Sequence, residues 1–301
     1  MPALVNNLTV SFFHRRLRGY SQPILVQASD GLPYVVKFPN NPQGPNLLFN
    51  EGVGSELFRA CGLSVPAWKV LTVSEDFLDR NPDCWIQTQG RPLRPAAGLC
   101  FGSQFLGGFG KRIFEILPSS SFKLIRNSAS FWLAWLIDVC AEHIDNRKAI
   151  FIENAEGWLD PFFVDHGCLF GGGNAESRRN VYAPRYLDPR IYPAVSYEAL
   201  IDFEDVLQAL DVDRLWQRLD LIPEEWVDAS ALIGFEACLQ RLSMPLYTQS
   251  LLTTLLGSLE RRTETSTAIR GIVRKPPSTV RRPGLQDAGF NGSFVHHPAC
   301  A

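Results

Sequence analysis

The period of the apolar positions changes along the chain, and those changes divide it. Ile24-Leu25-Val26-Gln27-Ala28 and Tyr34-Val35-Val36-Lys37-Phe38 are short runs rich in β-branched and aromatic residues, and Ser29-Asp30-Gly31 lies between them. Two such runs around a glycine-containing turn predict a β-hairpin. Asn40-Asn41-Pro42-Gln43-Gly44-Pro45 reads as a loop by composition. A helix is expected from about Asn46 to Cys61-Gly62, where glycine suits a left-handed C-terminal position. Leu63 to Val65 and Pro66 lead into another strand, Trp68 to Val73.

Arg91 to Lys111 is rich in Gly and Pro and reads as a crossing between two lobes. After Pro118 and three serines, Leu124, Ser128, Phe131, Trp135 and Val139 recur at spacings of three and four, which predicts a buried helix. Two short β-like pieces follow, Ala149-Ile150-Phe151-Ile152 and Phe162-Phe163-Val164. From Tyr197 to Leu259 the period is helical, with Leu200, Phe203, Leu207 and Leu210 on one stripe and Leu251, Leu252, Leu255 and Leu259 on another. From Thr263 the apolar pattern stops, and Arg270, Arg274, Lys275, Arg281 and Arg282 surround Pro276-Pro277. That tail is expected to be disordered. The expected organisation is α+β: a β-rich part with one key helix (1–100), a mainly helical part (101–262), and a disordered basic tail (263–301). Strands followed by helices is also a common order among unrelated α+β proteins.

Composition narrows the function classes. In 301 residues, Lys and Arg number 29 against 31 Asp and Glu, so no strong field favours nucleic acid or an anionic membrane as the main partner. The seven cysteines are scattered, odd in number and form no Cys-x-x-Cys, so reduced thiols are expected. The start of the chain reaches His14-Arg15-Arg16 without a sustained apolar run, so no signal peptide is expected. The most apolar stretch, Phe131 to Ile137, runs into Asp138 and is far short of the roughly 20 residues of a membrane span. These features predict a cytoplasmic protein.

Four residues carry candidate chemistry. Lys37 ends the apolar strand Tyr-Val-Val-Lys. It is either a lysine whose stem lies on apolar surface or a phosphate-binding lysine of the kind on a kinase β-strand. Glu51 shares a helical face with Leu47, Gly54 and Phe58. A carboxylate in an apolar stripe is costly unless paired, and Lys37 is the nearest plausible partner. His143-Ile144-Asp145-Asn146 sits between a buried helix and a strand, where Asp145 is placed to orient an attacking hydroxyl or accept its proton. Phe162-Phe163-Val164-Asp165-His166-Gly167 puts Asp165 at the end of an apolar strand, before a turn glycine, in position to bind a Mg²⁺ that bridges ATP phosphates. Either aspartate alone reads better as a turn cap; the pair, downstream of Lys37 and Glu51 in that order, favours the functional reading.

Tyr-Val-Val-Lys-Phe, Asn-Pro-Gln-Gly-Pro, Asn50-Glu51 and Cys-Gly-Leu-Ser-Val-Pro resemble the N-terminal lobe of the HipA-like bacterial kinases. His-Ile-Asp-Asn-Arg and Val-Asp-His-Gly resemble that family's catalytic and metal-binding loops. Leu99-Cys100-Phe101-Gly102-Ser103 resembles its inter-lobe segment, and Ile222-Pro223-Glu224-Glu225-Trp226 a recurring element of its C-terminal lobe. The likeness spans about residues 10 to 245. It implies a bilobal protein-kinase-like fold, ATP with Mg²⁺, and phosphorylation of a Ser or Thr hydroxyl on a protein. Lys37, Ser21, Gln22 and Phe101 are then the expected nucleotide contacts, and Asp165 with Asn146 the expected metal ligands.

Two departures stand out. Kinase catalytic loops place a metal-binding Asn five residues after the Asp; counted from Asp145 that position is Ile150. The site therefore uses one metal, recruits Asn146 or His166, or is weakly active. Arg18-Gly19-Tyr20-Ser21-Gln22-Pro23 has one glycine where a phosphate-covering loop has three, although Ser21 and backbone N–H groups remain available. A nucleotide-binding pseudokinase is the competing reading, and a phosphotransferase acting on a small molecule or lipid is a third, because fold does not fix substrate. Gly107-Gly108-Phe109-Gly110, Gly171-Gly172-Gly173 and His296-His297 are read as flexible segments.

Overall fold

The computed structural model describes residues 8–108, 111–171, 186–193 and 197–257. The stretch expected to be a disordered tail, His296-His297, Cys300, and much of the two glycine-rich loops lie outside them.

The first hydrophobic runs become strands, with two additions. β1 (Leu8–Arg16), β2 (Ile24–Ala28), β3 (Pro33–Lys37), β4 (Trp68–Val73) and β5 (Gly98–Gln104) form a closed barrel in the order β1-β2-β3-β5-β4. All neighbours are antiparallel except β1 and β4, which meet in parallel through Leu8 opposite Leu71 and Thr9 opposite Thr72. β5 lies inside the stretch expected to be a lobe crossing, so that expectation is corrected. Leu99, Cys100 and Phe101 give it enough apolar character to complete the sheet, and the barrel continues past residue 100 to Gln104.

The expected helix is α1 (Leu47–Ala60). It is buried on every side from Leu47 to Phe58, polar residues included, because barrel and helices cover it from opposite directions. A short helix, α2 (Glu75–Arg80), begins at Ser74, whose hydroxyl accepts from the Phe77 N–H. α3 (Ser130–Cys140) starts later than the periodicity predicted: residues 119–124 form a 3-10 helix instead. All of α3 is buried, which explains its near-absence of polar residues. A second sheet has the order β6-β7-β8, with β6 (Ile113–Phe114), β7 (Lys148–Glu153) and β8 (Leu159–Val164). The remainder is helical: α4 (Tyr197–Gln208), α5 (Val212–Arg218), α6 (Ala229–Leu242) and a further helix over 245–257. The Ile222–Trp226 element ties these helices to the barrel. Trp226 Nε1 donates to Leu99 O at 3.3 Å, and Ile222 lies against Gly52 of α1.

Two contacts fix α1 against the segment after β8. Asn50 Nδ2 donates to the carbonyls of Gly167 (3.0 Å) and Leu169 (2.8 Å). Gly54 lets this segment approach: a Cβ there would lie 2.6 Å from His166 Cβ and 2.7 Å from Leu169 Cδ1. Both neighbours are buried, so neither has free space to retreat into. Gly54→Ala should therefore lower stability by about 1–3 kcal/mol despite alanine's better helix propensity. Urea denaturation measures this, and an alanine variant at least as stable as the parent would contradict the close approach.

Candidate active site

β3 delivers Lys37 to the barrel rim, opposite Phe101 of β5. The lysine is 6% exposed and Glu51 2%. Lys37 Nζ donates to Glu51 Oε1 and, at 2.6 Å, to Asp165 Oδ1. Glu51 Oε1 also accepts the Gly167 N–H at 2.8 Å. One buried ammonium thus joins β3, α1 and the loop after β8. Burial alone would lower the lysine's pKa, but Asp165 and then Glu51 outweigh it and raise it above the ordinary value. For Asp165, burial favours the neutral acid, yet Lys37 and Lys148 prevail and hold the carboxyl far below the usual carboxylate range.

The β7–β8 pairing brings the two loop aspartates into one region. Lys148 is opposite Val164, so residues 145–147, just before β7, lie beside Asp165, just after β8. The Ile144 N–H donates to Cys168 O at 3.2 Å and closes this arrangement. Asp145 is half-buried, and its Oδ1 accepts the Asn146 N–H at 2.7 Å. Asp165 has φ +65°, an unusual backbone for an L residue, held by its ion pairs and by Arg147.

Lys148 escaped the sequence reading. Its Nζ donates to Asp165 Oδ2, so the aspartate lies between two lysines. The buried Arg147–Asp138 pair was missed too. Arg147 Nε donates to Asp138 Oδ2 at 3.0 Å, and Nη2 to Oδ1. Arg147 Nη1 reaches Val164 O at 3.0 Å and lies 3.2 Å from His166 Nδ1, and the guanidinium stacks over Phe58 at 4.6 Å. Asp138 is a carboxylate within a wholly buried, mainly apolar helix, the same signal that singled out Glu51. Burial would raise its carboxyl, but Arg147 and then His143 hold it well below the usual range.

Lys37, Glu51, Arg147, Lys148, Asp165 and His166 line a cleft of about 460 Å³ between the barrel strands and the β7–β8 hairpin, within the roughly 300–1,000 Å³ of small-molecule sites; Asp145 is not among its lining residues, although its neighbour Asn146 is. Ser21, Lys37, Glu51, Phe101, Asn146 and Asp165 all line it. Gln22 does not: its amide exchanges hydrogen bonds with the Gln87 backbone, 2.8 Å each, which turns it from the cleft. Ile150 lines the cleft as a β7 residue paired with Phe162 and brings no donor atom. His166 is engaged through Nδ1 with Arg147; burial, then Arg147, depress its pKa well below the ordinary value. The described cysteines are free thiols; burial pushes Cys61, Cys84 and Cys140 up to about 12, so they carry no nucleophilic role.

Mg²⁺ usually takes one or two carboxylates and completes its shell with phosphate oxygens and water. Asp165, with Asn146 in the same cleft lining, meets that minimum. Among the described residues no cluster of three His, Cys, Asp or Glu forms an all-protein cage. The donor set fits a metal that arrives on a phosphate.

No protein-family model matches the sequence, and no curated protein matches it. Solved structures do. The crystal structure of the Helicobacter pylori proinflammatory kinase CtkA superposes with a TM-score of 0.51 at 12% identity, covering 83% of this chain and 98% of that one. The Golgi casein kinase with Mn/ADP bound gives 0.47 at 12% identity, over 83% of this chain and 74% of that one; a second structure of the Golgi casein kinase gives 0.46 at 12%, over 83% and 72%. The CtkA likeness shows that this chain has a kinase-like α+β fold. Among the described residues, no helix is long and apolar enough to cross a membrane.

Arg147→Met should cost about 3–5 kcal/mol at pH 7, because it strands a buried Asp138; denaturant titration measures this. Asp138 is depressed in the folded state, so its contribution is complete above the ordinary value of 3.8 and is lost as pH falls below it. The stability gap between wild type and Asp138→Asn should be constant from neutrality to about pH 5 and shrink below about pH 4. An Arg147→Met protein as stable as wild type, or a gap unchanged at pH 3, would refute the pairing.

Proposed function

We propose that the chain is an ATP- and metal-dependent phosphotransferase of the HipA-like kind, transferring the γ-phosphoryl group to a hydroxyl, a Ser or Thr on a protein. The observation that carries this reading is Lys37 held between Glu51 and Asp165 at the wall of a cleft that Asn146 and Lys148 also line. In a kinase site a lysine fixed by a helix glutamate positions the nucleotide phosphates, and an aspartate after a strand holds the metal that bridges them.

The assigned roles follow the chemistry of each group. Lys37 binds phosphate, and Glu51 fixes its ammonium. Ser21 and Phe101 contact the nucleotide from the barrel. Asp165, with Asn146, holds the metal, which when bound neutralises charge on the transferring phosphoryl group. Asp145 orients the acceptor hydroxyl and takes its proton as the new O–P bond forms and the bond to the bridging oxygen of ADP breaks. In the bilobal arrangement this implies, the barrel with α1 is the N-terminal lobe. Arg147 is committed to Asp138, the Val164 carbonyl and His166, and through them it sets the position of Asp165.

Ile150 favours a second reading, a pseudokinase that binds nucleotide without transfer, because it leaves one metal-binding position without a ligand. Incubation with [γ-³²P]ATP and Mg²⁺, followed by mass spectrometry of the chain and of added peptides, separates the two. Wild type should incorporate label; Asp145→Ala should lower the rate by about 10²–10⁴ and Asp165→Ala should abolish it, both folded by circular dichroism. Transfer at wild-type rate in both variants would end the kinase assignment. Binding of ATP by wild type without any transfer would select the second reading.

A further inference from the structure

Among the described residues, two cations that line the cleft have no assigned role, Arg18 and Lys148, and of these Lys148 is the one paired with the carboxylate assigned to the metal. Lys148 is the first residue of β7, three positions after Asp145. Its side chain is 47% exposed and lines the cleft, whereas Lys37 is 8% exposed and committed to Glu51 and Asp165. An ammonium has three donors, and among the described residues Asp165 is the only acceptor for Lys148. The residue lines the cleft beside the carboxylate assigned to the metal.

Charge counting explains why a cation belongs there. Lys37, Lys148, Glu51 and Asp165 sum to zero, so the cluster is neutral before a ligand enters. A nucleoside triphosphate brings several negative charges, and kinase sites meet them with lysine and two metal ions. Here the position for a second metal ligand is Ile150, held in the sheet by pairing with Phe162 and unable to coordinate. Of the two lysines on Asp165, only Lys148 is exposed and free enough to move towards a ligand.

We propose that Lys148 is a second phosphate-binding lysine: it exchanges Asp165 Oδ2 for the terminal phosphate of a bound nucleotide and stands in for the second divalent metal. The exchange frees one carboxylate oxygen of Asp165 for the single metal the site holds, and no covalent bond changes. The inference rests on the cleft being a nucleotide site, as proposed above.

Equilibrium binding of ATP, ADP and adenosine, in EDTA and across a Mg²⁺ titration, tests it on wild type, Lys148→Met and Lys148→Arg. In EDTA wild type should prefer ATP to ADP. Lys148→Met should weaken ATP by about tenfold to hundredfold, the scale of a charge-assisted hydrogen bond, leave adenosine within twofold, and erase the ATP-over-ADP preference. Lys148→Arg should retain most of it. Counting bound Mn²⁺ by electron paramagnetic resonance on wild type with ATP should give one ion per site, which needs no variant to fold. Lys148→Met binding ATP as wild type does, losing adenosine in equal measure, or two Mn²⁺ ions per wild-type site would each overturn the inference while the nucleotide site stands. Wild type that binds none of the three ligands would remove the functional reading, and this inference with it.

Discussion

The site depends on a buried ammonium with two carboxylates. Taking Lys37, Glu51 and Asp165 out of water costs several kcal/mol per ion, and each is tolerable only while the others are present. That mutual dependence is also geometric. Lys37 belongs to β3, Glu51 to α1 and Asp165 to the end of β8, so three distant stretches of chain must meet for any one charge to be compensated. Well-packed apolar residues would satisfy the same volume with less penalty. Charges kept at such expense point to chemistry rather than to stability.

A second buried pair does the supporting work. Arg147 on Asp138 reaches the Val164 carbonyl, His166 and the Phe58 ring, so the helix core, the loop before β7 and the turn after β8 share one guanidinium. Arginine suits this because its planar fork serves several acceptors at once while its face lies on an aromatic ring. Asp165 can then keep a left-handed backbone that it would not choose alone.

Much of this was legible in the chain. The hairpin, α1 and β4 came from short-range patterns of alternation and turn residues, which depend little on the rest of the fold. Glu51 was found because a carboxylate in an apolar stripe demands a partner, and Lys37 proved to be that partner. Asp138 sent the same signal, but its partner Arg147 lies in a loop whose neighbours are set only by the β7–β8 register, so the pair was missed. β5 was obscured by surrounding Gly and Pro, since local composition outweighed a barrel that needs a fifth strand to close. β1 alternates imperfectly because its pairing with β2 shifts register twice. The partner of Gln22, the Gln87 backbone, lies 65 positions on and was likewise beyond the reach of local pattern.

The fastening of α1 has a consequence for control. Swinging the helix outward would have to part the Lys37 ion pair, the Gly167 amide contact and both Asn50 bonds at once, because all sit on consecutive residues 50 and 51. The helix and the turn beyond β8 therefore travel as one lever. A displacement of α1 would carry Glu51 and the turn after Asp165 together.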